Sequence, residues 1–119
     1  FNNSTLGMVK LEMLVNGLPD FQTDVPDTNY AEIARAIGFH AERVEDASRL
    51  EAAYREAFAA PGPALVEVIT DPNALSLPPA ITGGQVVGFA TAMSKIVLNR
   101  GIAEAFSMAT SNMRNIPRL

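Results

Sequence analysis

The sequence predicts an α/β fold: the second half of a doubly wound parallel-sheet domain, followed by a helical C-terminal tail. Three observations carry that prediction. Two short strand-like segments, Phe39–Val44 and the mostly apolar Ala64–Ile69, bracket a capped helical pattern. That spacing suits a βαβ unit with parallel strands and a right-handed crossover. At the start, Phe1-Asn2-Asn3-Ser4-Thr5-Leu6-Gly7 leads polar side chains from a strand end onto a helix start, where open α/β sheets bind ligands. After Pro78-Pro79 the pattern becomes wholly helical.

Taken in order, apolar residues at 8, 9, 11, 13, 14 and 15 predict a mostly buried helix that ends near Asn16-Gly17, glycine being the usual residue just past a helix. Leu18–Pro26, with two prolines and two aspartates, reads as a loop long enough to be a functional connection. Asn29 and Glu32 have capping-box spacing. The helix they open carries a stripe of Tyr30, Ile33, Ala34 and Ile37, closed by Gly38. Ser48 and Glu51 form a second such pair, opening a helix expected to bury Leu50, Ala53, Tyr54, Ala57 and Phe58. Pro61-Gly62-Pro63 ends it. The β-branched run Ala64–Ile69 has the composition of a strand covered on both faces. Little more than Phe1 belongs to the first strand.

Leu75-Ser76-Leu77-Pro78-Pro79 reads as a rigid extended exit from the domain. Gln85–Asn99 then shows a helical stripe of Val86, Phe89, Ala90, Met93, Ile96 and Val97, with Gly88, Thr91, Ser94, Lys95 and Asn99 opposite. A second helix, Ile102–Met113, places Ala105, Phe106, Met108 and Ala109 on its apolar side. Residues 115–119 read as irregular. The domain division is therefore 1–74 for the sheet domain and 75–119 for the tail.

The chain has 119 residues, enough for one small core. It lacks an initiator Met and begins at a strand end, which points to the C-terminal part of a larger polypeptide. With no cysteine, thiolate catalysis, disulfides and Cys-based metal sites are excluded for this segment. No apolar run is long enough to span a bilayer. The net charge of −4 is uneven: residues 1–78 carry −7 and residues 79–119 carry +3. An acidic body argues against a nucleic-acid partner, and a basic, apolar tail suits an anionic membrane surface.

Asn2-Asn3 alone is a turn signal. The longer string FNNSTLGMVKLEM, however, resembles the closing part of the thiamin diphosphate motif of the pyruvate oxidase and quinone-dependent pyruvate dehydrogenase family. The opening Gly-Asp-Gly of that motif is not in this chain. DTNYAEIARAIG, Arg43-Val44-Glu45, GPALVEVITDPNALSLPP and the tail extend the resemblance over essentially the whole chain. The middle segments are shared by many thiamin diphosphate enzymes; NNSTLG and the LPP-plus-tail ending favour the pyruvate oxidase branch.

The resemblance implies that Asn3, through its side chain, and Thr5, through its backbone carbonyl, bind Mg2+, the remaining aspartate coming from the Gly-Asp-Gly. Asparagine oxygen is a fair ligand for that hard cation. Ser4, Leu6, Gly7, Met8 and Val9 would surround the diphosphate and thiazolium. A helix start supplies N–H groups for the diphosphate, and a glycine lets phosphate approach the backbone. A glutamate at the place of Glu12 lies near the active centre in this family, where it could move a proton or position pyruvate; the other reading is a solvated helix glutamate paired with Lys10. Met8 departs from the aromatic residue common among relatives, which puts one proposed electron relay in doubt. His40, the only histidine, reads as structural or exposed.

The implied parent is a homotetrameric, FAD-containing enzyme that oxidatively decarboxylates pyruvate to acetate and CO2. Its electrons pass to FAD, bound mainly by a domain outside this chain, and on to a membrane quinone such as ubiquinone. It would be cytoplasmic and peripheral on the inner face of the cell membrane, with residues 75–119 as an amphipathic lipid-binding segment. Packing of both tail helices on the protein's own core is the competing reading. The fragment alone is expected to be inactive and at best marginally stable as a monomer. An acetolactate synthase-like or other 2-oxoacid decarboxylase, and a non-catalytic lipid- or partner-binding module, are the alternative functions.

Overall fold

A computed structural model describes residues 1–75 and 80–113. In chain order the elements are α1 (Gly7–Val15), α2 (Tyr30–Ala36), β1 (His40–Val44), a 3-10 turn (Ala47–Arg49), α3 (Leu50–Ala59), β2 (Ala64–Val68), α4 (Gly83–Arg100) and α5 (Ile102–Asn112). They fall into two compact units. One comprises Phe1–Ser4 and Pro26–Thr70, the other Thr5–Val25 and Asp71–Leu119. This cuts the chain differently from a division at residue 75, because α1 packs on α4.

The first unit is the expected α/β part. β1 and β2 pair in parallel, with His40 opposite Ala64 and Val44 opposite Val68. Asn2 adds a parallel bridge to Ile69. Its N–H donates to Val68 O at 2.8 Å, and Thr70 N–H donates to its carbonyl at 2.9 Å. Asn29 caps α2 by accepting from Glu32 N–H at 2.9 Å, and Gly38, at φ 91°, ends it.

Which faces are buried differs from the sequence reading. α2 buries Ala31 and Ala34, which pack with Ala41, Phe39 and Leu65, whereas Tyr30, Ile33 and Ile37 are exposed. The small residues lie against the sheet because only they allow close approach. In α3 Ala53 is fully buried, while Tyr54 and Phe58 are exposed. The cap before α3 comes from Asp46, which accepts from Ser48 N–H at 2.8 Å; a 3-10 turn intervenes, so Ser48 does not cap the helix. β2 is not covered on both faces. Its fully buried residue is the charged Glu67, since two strands and one bridge make too little sheet to enclose it.

The second unit is helical. Leu11, Leu14, Leu75, Ala92, Ile96 and Met108 form its core, with Val15, Phe89, Met93 and Ala105 packed around them. α1 ends where expected, with Gly17 at φ 77°. α4 opens on a reciprocal capping box between Thr82 and Gln85. Gly88, which the sequence pattern placed on the polar side, instead sits directly against the α1 C-terminus. Lys95 Nζ donates to Gly17 O at 2.8 Å. Asn112 is buried and ties α5 to the chain before it, accepting from Leu75 N–H at 2.8 Å and donating to Asn73 O at 2.7 Å. The extended exit at Ser76–Pro79 and the irregular end at 115–119 lie outside the described residues, as do the cations Arg114 and Arg118.

Candidate cofactor-binding segment

The string singled out by sequence passes from the first unit to the second at the Ser4–Thr5 peptide bond. In the first unit Asn2 is buried and Asn3 and Ser4 are half-buried. The Asn2 side chain is fully committed. Its Nδ2 donates to Glu67 Oε1 at 2.7 Å and to Thr28 O at 3.1 Å, and its Oδ1 accepts from Ser4 N–H at 3.1 Å. This last bond closes an Asx turn around Asn3. Ser4 takes a positive φ of 48°, a conformation that costs a non-glycine residue energy unless its surroundings hold it.

Glu67 anchors this arrangement. Oε2 accepts from Ala31 N–H at 3.0 Å, and Arg43 Nη1 lies 3.3 Å from Oε1. Arg43 in turn grips Asp27 with Nη2, at 2.9 Å and 3.0 Å, and Glu45 with Nε at 3.0 Å. Burial pushes the Glu67 carboxyl up. The amides of Ala31, Asn2 and Tyr30 and the charge of Arg43 outweigh that and hold it below its ordinary value.

In the second unit Thr5 is buried. Its Oγ1 donates to Thr23 O at 3.1 Å, and an antiparallel bridge joins it to Asp24. Leu6 N–H donates to Thr23 O at 2.7 Å, so the Leu18–Pro26 loop clamps the entry to α1. The helix then starts at Gly7 with no side-chain cap and no acidic residue in its first turn. Leu6, Met8 and Val9 are exposed, which corrects the expectation that 8 and 9 are buried. Glu12 is exposed too. Its supposed partner Lys10 is buried instead, with Nζ 3.2 Å from Asn73 Oδ1 and 3.8 Å from Asp20 Oδ2. His40 is exposed at the start of β1.

These residues fit the expected group. A helix start whose donors meet no side-chain cap, and whose first turn lacks a carboxylate, suits an anion such as a diphosphate. Among the described residues no three His, Cys, Asp or Glu side chains come together to hold a metal ion. From Asn3 and Thr5 this chain would supply neutral oxygens, and a charged ligand would have to come from elsewhere.

In the tail, Ile96 and Met108 are spent on the core, while Val86, Leu98, Ile102 and Phe106 are exposed. A nearly all-apolar groove of about 490 Å³ runs between Val15, Ile81, Val86, Phe89, Ala109 and Met113. No helix among the described residues is long and apolar enough to cross a membrane.

The sequence reading missed Asn2, Glu67, Arg43 and Asp27. Its one available signal was Glu67 itself, a carboxylate inside the apolar run ALVEVI, because a charge buried in a strand must be paired.

Comparison with known proteins gives a consistent picture. Residues 1–68 match the family model described as thiamine pyrophosphate enzyme, C-terminal TPP binding domain. A Bacillus subtilis (strain 168) protein named as thiamine pyrophosphate-containing, YdaP, is 36% identical over 94 residues, which are 79% of this chain and 16% of that protein. The acetolactate synthase large subunit IlvG of Mycobacterium tuberculosis (strain H37Rv) is 46% identical over 48 residues, which are 40% of this chain and 9% of that protein. The chain thus spans a small part of the length of the curated relatives it matches.

Proposed function

The chain belongs to the thiamine pyrophosphate enzymes, as part of their C-terminal TPP-binding domain, and from that premise we propose that the whole protein oxidatively decarboxylates pyruvate to acetate and CO2. Thiamine pyrophosphate is the thiamin diphosphate of the sequence reading. The observation that carries the proposal is the string NNSTLG leading into an uncapped helix start. When bound, thiamin diphosphate supplies the carbanion chemistry, and the protein orients and tunes it.

The residues of this chain divide the work. Asn3, by its side chain, and Thr5, by its backbone carbonyl, hold Mg2+. The N–H groups at Gly7, Met8 and Val9 receive the diphosphate, with Ser4 and Leu6 beside it. Glu12, exposed on α1 like Met8 and Val9, orients pyruvate or moves a proton. FAD and a membrane quinone, both bound outside these residues, would supply the electron acceptance. The protein acts as a homotetramer in the cytoplasm, peripheral on the membrane through residues 75–119.

A second reading is acetolactate formation, favoured by the identity shared with a protein named acetolactate synthase. One experiment separates the two. The full-length protein is supplied with pyruvate, Mg2+ and thiamin diphosphate, and acetate, acetolactate and reduction of a quinone analogue are measured with and without lipid vesicles. Acetate with quinone reduction that rises with vesicles supports the oxidative reading and the lipid-responsive tail. Acetolactate without quinone reduction replaces it with the second reading. Acetate and quinone reduction indifferent to vesicles keep the enzyme and leave the tail as packing.

A further inference from the structure

We infer that Glu67 is a positioning residue for the metal-binding turn, acting through Asn2 to fix the backbone that carries Asn3. The inference rests on the proposed role of Asn3 as a Mg2+ ligand. It draws on the first unit alone, where every group involved lies.

Every partner of Glu67 is a donor: Asn2 Nδ2 at 2.7 Å, Arg43 Nη1 at 3.3 Å and Ala31 N–H at 3.0 Å. The site therefore demands an acceptor on both oxygens, which an ionised carboxylate supplies and an amide does not. Asn2 is fixed in turn. With Nδ2 drawn to Glu67 and Thr28 O, only Oδ1 is left to face Ser4 N–H. Turning the amide over would set donor against donor at Ser4 and acceptor against acceptor at Thr28. Polarity thus runs one way, from the Glu67 carboxylate through the Asn2 amide to the Ser4 amide, and Asn3 is the residue enclosed. The backbone of Asn2 is pinned by its N–H to Val68 O and by its carbonyl to Thr70 N–H, and the positive φ of Ser4 needs such an over-determined setting. Glu67 is 4% exposed, so water cannot stand in for a lost acceptor.

The test is a calorimetric Mg2+ titration of the full-length protein at saturating thiamin diphosphate, at a temperature where thermal unfolding shows every variant folded. E67Q keeps the shape but puts an –NH2 group against one of the donors. Its Mg2+ affinity is expected to fall about 10- to 100-fold, the usual effect of removing a partner that orients a metal ligand. E67D, still an acceptor but shorter, should fall between the wild type and E67Q, and it carries the test if E67Q does not fold. A lowered Tm with wild-type Mg2+ affinity in these variants would make Glu67 merely structural and overturn the inference. A wild-type protein that binds neither Mg2+ nor thiamin diphosphate would overturn the proposed function, and this inference with it.

Discussion

Gly88 offers the most direct test of how the second unit is packed. A Cβ added there would lie 2.7 Å from the carbonyl carbon of Val15 and 3.3 Å from Gly17 N, and closer still to Val15 O. All three are backbone atoms at the end of α1, so no side chain can swing aside. Carbon atoms in good contact stay about 3.5–4.0 Å apart, so α4 would have to withdraw by about an ångström. That would loosen Leu11 and Leu14 from Ala92 and Ile96, which share one core. Overpacking of this kind costs about 1–3 kcal/mol. Alanine in place of a helical glycine returns up to about 1 kcal/mol, and rigid neighbours place the clash at the upper end. G88A should therefore lose about 2 kcal/mol. The matched control is G84A in the first turn of the same helix, where an added Cβ meets nothing within 4 Å; it should be neutral or slightly stabilising. Hydrogen exchange of the full-length protein, read on peptides covering 7–17 and 83–100, is the assay. A loss of 2 kcal/mol speeds exchange by local opening about 30-fold. Wild-type protection in G88A, or equal losses in G88A and G84A, would refute the close α1–α4 packing.

Other changes test separate features. Because Glu67 has a depressed carboxyl pKa in the folded state, its contribution is complete above the unfolded value of about 4.3. It is lost as pH falls through the folded value; Tm plotted against pH should drop less steeply on the acid side in E67Q than in the wild type. Arg100→Ala removes the 2.9 Å bond to the buried Asp20, leaving that carboxylate to Lys10 at 3.8 Å. The loop 18–25 should then open more readily by about 1–2 kcal/mol, seen as faster limited proteolysis there. Asn29→Ala removes the cap on α2 and should cost about 1 kcal/mol in denaturant unfolding. If Glu12 acts on pyruvate, E12Q should lower kcat/KM for pyruvate about tenfold or more while leaving thiamin diphosphate affinity and Tm unchanged, since the side chain is exposed.

Punctuation made the elements legible. Gly17 and Gly38 sit at positive φ where helices stop, Asn29 caps where a cap was read, and the two segments read as strands pair in parallel. The chemistry of these signals is local, so a single sequence carries it. Burial was read less well. Tyr30, Ile33 and Ile37 form the more hydrophobic stripe, yet Ala31 and Ala34 face the sheet. An apolar stripe shows that a face is sticky, not what it meets, and small residues win wherever backbones must come close. Gly88 was misplaced for the same reason: a glycine carries no hydrophobic signal, although its lack of a side chain is what admits α1.

The candidate segment shows where a motif reading stops. NNSTLG singled out this stretch, but the string treats its two asparagines as equals. Successive side chains in extended backbone point to opposite sides. Asn2, pinned by its own N–H and C=O to Val68 and Thr70, sends its amide inward to Glu67, sixty-five residues away in the chain. Asn3, the next residue, lies inside the turn that Asn2 closes. The first asparagine is thus committed to holding the loop. A carboxylate at position 2 would face the Glu67 carboxylate, so the amide there is required by its donor hydrogens. The partner that fixes the first asparagine lies in a strand the motif does not contain.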